Sequence, residues 1–319
     1  MNDPSPMPNV NDAAFCAVGV DVGGTKIAAG LVVFPDGEVK ARLVVSTLPK
    51  RGGEAVLQDV LRLVNQLSAQ AAERRLHVAG IGVGVCELVD GAGNVMSAHS
   101  IGWQGLPVRE RLSQFAPAIV EADVRAAALA EALFGAGRSC KCFLFVTVGT
   151  GISSCLVLDG KPFPGARGAA GTMASSPLGA TCEKCGAAEN RTLEEIASGP
   201  ALVTRYNQRS ATPVESGEGV LAAAHSADPI AGAVVRSAGT ALGTALGGLV
   251  NVLDPEAVVI GGGLGWSGGM YWESLVASAR QHIWSDLNRQ LPIVKAATGP
   301  EAGMLGAAAS AWRQLRYAG

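Results

Sequence analysis

Charge is scarce in this sequence. Acidic and basic residues make up 16% of its 319 positions, and 25 Lys and Arg against 27 Asp and Glu leave a net charge of −2. That near-balance excludes, for the chain as a whole, the basic footprint that nucleic acid or an anionic membrane surface requires. A bilayer-spanning run is missing as well. The best candidate, the small and apolar stretch Ser237 to Val250, is bounded by Arg236 and Asn251 and falls short of the ~20 residues that a membrane core needs. Its Gly239, Gly243 and Gly247 stand four apart, a spacing that suits close packing of one soluble helix against another. Met1 to Asp12 holds neither a basic segment nor an apolar run, so it reads as a frayed tail and not as a signal peptide. Seven cysteines, an odd number in a chain without an export signal, argue for reduced thiols in a cytoplasmic protein and against a disulfide framework.

What is present is apolar and rich in glycine. Hydrophobic residues account for 48% and mean hydropathy is +0.28, which excludes disorder over most of the length. At about 150 residues per domain the length favours two domains. The 42 glycines show no collagen period and gather at a few turns.

Phe15 to Val22 reads as an apolar strand that breaks at Gly23-Gly24-Thr25-Lys26 and resumes over Ile27 to Phe34. Pro35-Asp36-Gly37 is a hairpin turn and Val39 to Ser46 a strand; Glu54 to Arg75 is a helix with Leu57, Leu61, Val64 and Leu67 on its buried face. Val78 to Val85 and Ile119 to Asp123 are strands, the second running into an alanine-rich helix that ends near Gly135 and Gly137. The second half opens in the same way, with Phe143 to Val148, a break at Gly149-Thr150-Gly151, and Ile152 to Leu158. Two strand, Gly-Thr turn, strand units predict a duplicated α/β architecture whose turns face each other across a cleft. Beyond the Ser237 to Val250 helix come a strand over Ala257 to Ile260, the run Gly261-Gly262-Gly263, a helix from about Met270 to Trp284, and a last alanine-rich helix.

Glycine turns offer backbone N–H groups with no side chain in the way, and a phosphate needs several such donors at close range. Two turns can grip a triphosphate. The pattern is neither a Walker A loop, since no Gly-Lys-Ser/Thr follows and a strand succeeds Lys26, nor a dinucleotide fingerprint, since Trp266 stands where a third glycine is needed. A lone glycine pair is more often a tight hairpin; Asp21, able to organise a magnesium ion, and Lys26, able to reach a phosphate, shift the reading towards ligand binding. Asp123 ends a strand and begins a helix, so its carboxylate is held at the strand's C-terminal mouth, where the helix dipole favours the ionised form. Two roles fit it: an N-cap, or the base that orients and deprotonates an acceptor hydroxyl beside a phosphate site.

These motifs in this order resemble the ROK family of bacterial sugar kinases and related repressors, within the actin-like ATPase superfamily. The residues that carry the likeness span nearly the whole chain. They are Asp21-Val-Gly-Gly-Thr-Lys26, Gly82-Val-Gly-Val85 with Val89-Asp90, Gly102-Trp103, Asp123 with Ala126-Ala-Ala-Leu129 and Glu131, and Gly149-Thr-Gly151. They continue through Gly168-Ala-Ala-Gly171, Leu193-Glu194, Ala197-Ser-Gly-Pro200, Leu253-Asp-Pro-Glu256 and Gly261-Gly-Gly263. The resemblance implies an α/β fold of two actin-like (ribonuclease H-like) domains with an interdomain cleft: residues 1–122 joined by the C-terminal helix 303–319, and a larger domain of residues 123–302. It implies ATP and Mg2+ as cofactors and a homodimer. Asp21, Gly23, Gly24, Thr25, Lys26, Gly149, Thr150 and Gly151 would hold phosphates and metal, Gly261, Gly262 and Gly263 would face the adenosine, and Asp123 would be the general base.

On the acceptor side the chain departs from the family's pattern. Asn-Asp at the catalytic strand is here Ala122-Asp123, and a second Asn two residues on is Arg125. Gly-Glu-Ile-Gly-His is here Gly171-Thr172-Met173-Ala174-Ser175, without the Glu that grips sugar hydroxyls and the His that binds zinc. Pro-Gly after the glycine-rich strand is Cys86-Glu87, and the Asn before Gly-Trp aligns with His99. The expected acceptor-binding residues are therefore Glu87, His99, Thr172, Ser175 and Glu194. Glu87 and His99 fit two descriptions equally, a rebuilt acceptor site or ordinary polar loop residues. Arg125 reads as a solvated or salt-bridged helix residue, and Trp103 as either a pocket wall or packing. The family's zinc takes one His and three Cys; here Cys182 and Cys185 supply two thiolates while Ser175 and Thr192 occupy the other positions, so zinc is not expected.

The expected function is ATP-dependent transfer of the γ-phosphoryl group to a hydroxyl of a sugar or sugar-like acceptor. The alternative is a ROK-fold sugar sensor or an ATPase without the usual sugar kinase activity. A DNA-binding repressor is disfavoured, because fewer than twenty residues precede the first strand, too few for a winged helix-turn-helix.

Overall fold

A computed structural model of the chain describes residues 15–182 and 185–316. The first half lays down β1 (Phe15–Val22), β2 (Lys26–Phe34) and β3 (Glu38–Ser46) as an antiparallel meander. Helix α1 (Gly53–Glu73), β4 (Val78–Val85), the short α2 (Val108–Leu112), β5 (Ala118–Ala122) and α3 (Asp123–Phe134) follow. β1 and β4 are apolar and buried along most of their length because each lies inside the sheet. β3 alternates exposed with half-buried residues, as an edge strand with one wet face does. The strand order is β3-β2-β1-β4-β5, with β1 antiparallel to β2 and parallel to β4, and β4 parallel to β5.

The second half starts again with β6 (Cys142–Val148), β7 (Ile152–Leu158) and the two-residue β8 (Lys161–Pro162). An excursion then carries the hairpin β9 (Pro177–Thr181) and β10 (Ala188–Thr192) and the helices α4 (Glu194–Ala197), α5 (Gly199–Asn207), α6 (Gly217–His225) and α7 (Pro229–Leu253). The chain closes with β11 (Ala257–Gly261), α8 (Gly262–Ser267), α9 (Gly269–His282), β12 (Ile293–Lys295) and α10 (Ala302–Arg316). This sheet is ordered β12-β11-β6-β7-β8, with β6 antiparallel to β7 and parallel to β11, and β11 parallel to β12. Both sheets thus have a first strand flanked on one side by its hairpin partner and on the other by two parallel strands. The duplication expected from two Gly-Thr turns is present in the topology.

Two sets of close contacts fix how the helices lie. α10 packs on the first sheet: a Cβ on Gly19 or Gly82 would collide with the carbonyl oxygens of Met304 and Ala307. Its other side rests on α3, where a Cβ on Gly306 would strike the carbonyl of Ala126. α7 is longer than the sequence suggested. Arg236 lies within it and not at its border, because Asp228 caps it by accepting from the N–H groups of Ile230 (2.8 Å) and Ala231 (3.0 Å), with Pro229 at the first helical position. At 25 residues it is long and apolar enough to cross a membrane, and half of its apolar window is buried inside the protein. Gly239, Gly243 and Gly247 bring it against the carbonyls of Tyr271, Leu275 and Ala279 on α9, the helix pairing that their spacing predicts.

Candidate functional site

Three glycine turns line one cavity of about 630 Å³ between the two sheets. In the β1–β2 turn, Gly23 N–H closes on the Lys26 carbonyl at 3.1 Å, and open space lies in front of Gly24. The turn is held from just past the end of β3: Thr47, fully buried, donates its hydroxyl to the Gly23 carbonyl (2.6 Å) and its N–H to that of Thr25 (3.0 Å). In the β6–β7 turn, Gly149 N–H bonds the Gly151 carbonyl (2.9 Å), and the Gly149 carbonyl accepts from Gly199 N–H (2.8 Å). Gly262 has φ +83° and any Cβ there would strike the Val148 backbone; only glycine lets the β11–α8 turn come alongside the end of β6. Phe145, Trp266, Ala296 and Pro300 form an apolar stretch of the same cavity. A flat apolar wall joined to clustered amides suits a nucleoside polyphosphate. All eleven residues expected to hold the nucleotide line this cavity.

Three carboxylates face it, Asp21, Asp123 and, at the border with a second cavity, Glu194. Asp21 stands at the end of β1 with Gly303 of α10 pressed so close that a Cβ there would collide with its carboxyl. Burial pushes its pKa up to about 6, with Lys26 opposing the shift. Asp123 is the first residue of α3. It is not the helix cap: that position is Ala122, and the Asp123 carboxylate accepts from its neighbour Val124 N–H (2.6 Å). Burial, and then the charge of Asp21, raise Asp123 to about 7 against the Val124 hydrogen bond. Hard oxygen donors from one or two carboxylates, beside a phosphate cradle, fit Mg2+, which completes its shell from phosphates and water.

A second cavity of about 230 Å³ adjoins the first. Cys86, Asp123, Val124, Ser153 and Glu194 line both, so they form the wall between them. Glu87, His99, Thr172 and Ser175 line the smaller one too, so the structure brings all five expected acceptor residues together. Glu194 is aimed by Ile152 N–H, which donates to its Oε2 at 2.7 Å.

Three expectations change in detail. Glu87 lines the cavity, but its carboxylate is already filled by the Ser97 hydroxyl and the N–H groups of His99 (2.9 Å), Ser100 (2.6 Å) and Ile101 (2.8 Å). Burial pushes its pKa up and these bonds more than reverse that, leaving it below the usual carboxylate range. With four acceptor positions taken, Glu87 is corrected from an acceptor-binding group to one that folds the 97–101 loop and presents His99. Arg125 is salt-bridged to Glu121 but not solvated, being 4% exposed. Trp103 is core and not a pocket wall, fully buried with its indole N–H on the Gly53 carbonyl at 2.9 Å.

The Cys182 and Cys185 pair flanks residues 183–184, which lie outside the described residues. Among the described residues no three His, Cys, Asp or Glu side chains gather as a structural zinc would require. Ser175 is exposed, and the Thr192 hydroxyl donates to Glu195 at 3.0 Å. Two thiols with hydroxyls elsewhere do not fit a structural zinc.

Sequence reasoning missed Thr47, Phe145, Trp266, Ser153 and Pro300. Phe145 and Trp266 sit in or beside motifs already singled out, so their place was readable in principle. Thr47 lies 22 residues beyond the turn it holds, and no local pattern marks it.

The ROK family model matches residues 17–314. A glucokinase of Halalkalibacterium halodurans is 30% identical over 286 residues, covering 83% of this chain and 84% of the relative. A xylose repressor of Caldicellulosiruptor bescii is 25% identical, over 90% of this chain and 76% of its own length. Among solved structures, the ROK hexokinase of Thermus thermophilus superposes with a TM-score of 0.79 at 33% identity, over 95% of this chain and 99% of that one. The ROK glucokinase of Streptomyces griseus, solved with glucose and AMPPNP, gives 0.79 at 28% identity, over 93% and 99%. Sequence and fold agree over nearly the whole length, and the chain belongs to the ROK family.

Proposed function

We propose that this protein is an ATP-dependent sugar kinase that transfers the γ-phosphoryl group to an acceptor hydroxyl, with Asp123 as general base. One observation carries the reading: Asp123 stands in the wall shared by a cavity built for a polyphosphate and a polar cavity large enough for a small acceptor. Phosphoryl transfer asks little covalent chemistry of the protein and a great deal of positioning. The backbone amides of the three turns and Lys26 hold the phosphate tail and stabilise its charge. Asp21 would hold Mg2+, which would supply the remaining charge neutralisation. Asp123 receives the acceptor's proton; raised to about 7, it is close to the affinity a base needs at neutral pH. Glu194, His99, Thr172 and Ser175 offer a carboxylate, an imidazole and two hydroxyls to a polyol. On this reading residues 1–122 with 303–319 close over residues 123–302, in a cytoplasmic homodimer. The glucokinases among its relatives and the AMPPNP and glucose in the Streptomyces griseus structure support the substrate classes.

The test is ADP release with ATP, Mg2+ and a panel of neutral hexoses, amino sugars and polyols. Turnover should depend on one of these acceptors. Asp123→Asn should lower kcat by about 10³-fold or more while ATP binding stays within about threefold. ADP release indifferent to every acceptor would favour an ATPase or sensor instead.

A further inference from the structure

Arg125 has no place in the chemistry above, yet it is the most deeply buried charge in the acceptor cavity's wall, two residues beyond Asp123 on α3. Its Nε bonds Glu121 Oε1 at 2.5 Å, its Nη2 the Val89 carbonyl at 2.6 Å, and its Nη1 the Gly168 carbonyl at 3.1 Å. Val89 follows β4 of the first sheet, and Gly168 follows β8 of the second. One guanidinium therefore joins peptides from both halves, and its planar fork is the side chain that can do so.

The peptides are fitted to each other as well. Gly168 has φ +76°, and a Cβ there would collide with the Val89 carbonyl. Three residues on, the Gly171 carbonyl accepts from the Ser154 hydroxyl at 2.8 Å, and Gly171 itself leaves no room for a Cβ beside the Ser154 backbone. Thr172 and Ser175 come directly after this second anchor.

We propose that Arg125 is a positioning residue: it clasps the Val89 and Gly168 peptides across the cleft and so fixes the Gly168–Ser175 segment as the far wall of the acceptor cavity. Burying a guanidinium is unfavourable unless its donors are matched, so withdrawal of either carbonyl is resisted and the segment is held in register with Asp123. The kinetic consequence rests on the sugar kinase reading; the structural one does not.

Hydrogen exchange tests the structural part without any substrate. Arg125→Met keeps bulk and removes every donor; it should speed exchange of the segment's Ala170 and Met173 amides, which donate to the Pro164 and Gly171 carbonyls, by about tenfold or more. Exchange in β6 should not change. Gly168→Ala pries the same contact from the loop side and should act in the same direction, and Arg125→Lys should fall between Arg125→Met and wild type. In the kinetic arm, with glucose as the acceptor probe, Arg125→Met should raise the glucose KM about tenfold or more while the ATP KM stays within about twofold. Unchanged exchange in both Arg125→Met and Gly168→Ala would overturn the clasp. Faster exchange with an unchanged glucose KM would overturn its positioning role. Wild-type protein that turns over no acceptor would count against the kinase assignment and leave the exchange result to decide the clasp.

Discussion

A carboxylate that is buried near another carboxylate is expensive as an anion, and Asp123 is in that position. Its pKa of about 7 lies above the ordinary 3.8, with burial and Asp21 as the causes, so the folded protein holds that proton more tightly than the unfolded chain does. The ionised fold is therefore penalised fully above about pH 7, and the penalty fades towards pH 4. Two results follow. The kcat/KM for the acceptor should rise with pH along a limb ending between about 6 and about 7, the range spanned by the interacting Asp21 and Asp123 pair. Asp123→Asn should denature at a higher temperature than wild type at pH 8, by about 1–2 kcal/mol of added stability, with the gain shrinking at pH 5. A stability difference independent of pH would contradict the burial argument. At this scale the sequence was informative about which residues meet: the nucleotide set and the acceptor set each converge on one cavity. It was silent on who satisfies whom. Glu87 was visible as a carboxylate on an acceptor-facing segment, but the folding back of residues 97–101 onto it is a tertiary event without a local signature.

Among the elements, glycine at contact points decides how near a helix can approach. Gly82 of β4 touches the backbone of α10 at Ala307, and a backbone carbonyl cannot swing aside as a flexible side chain can. Valine suits a central strand better than glycine does, so Gly82→Val separates the steric effect from propensity. It should lower the urea midpoint by the equivalent of about 3 kcal/mol or more, with the m-value unchanged; equal midpoints would mean that α10 is not seated there. Strands and long helices were legible from their periodicity, because their buried faces recur at fixed spacing. The start of α7 is written in Asp228-Pro229, a cap followed by a first-turn proline, upstream of the apolar stretch Ser237 to Val250. α8 was unseen, since a glycine-rich six-residue helix has neither propensity nor period to announce it.

Across the whole molecule, the two sheets are connected by α3 and by the segment that leads from β12 into α10, and one buried side chain ties these crossings together. Glu131, fully buried near the end of α3, accepts from the N–H groups of Ala136 (2.7 Å), Ala297 (3.1 Å) and Thr298 (2.8 Å) and from the Thr298 hydroxyl. Gly135 must be glycine beside it, since a Cβ there would overlap the carboxylate. The motif around Asp123 drew notice to Glu131 in the sequence without giving it a task; apart from Ala136, its partners Ala297 and Thr298 lie more than 160 residues away, beyond what spacing can express. Glu131→Gln keeps the shape but turns an NH2 group towards donors that need an acceptor, leaving at least one buried N–H unmatched. The expected loss is about 2–3 kcal/mol, a fall in the thermal midpoint of roughly 3–5 °C for a chain of this size. Because the same bonds hold the two crossings in register, hydrogen exchange at Ala297 and Thr298 should rise with it while β1 stays protected. A variant that melts with the wild type, or one that loosens β1 equally, would show that the crossings are not tied at this carboxylate.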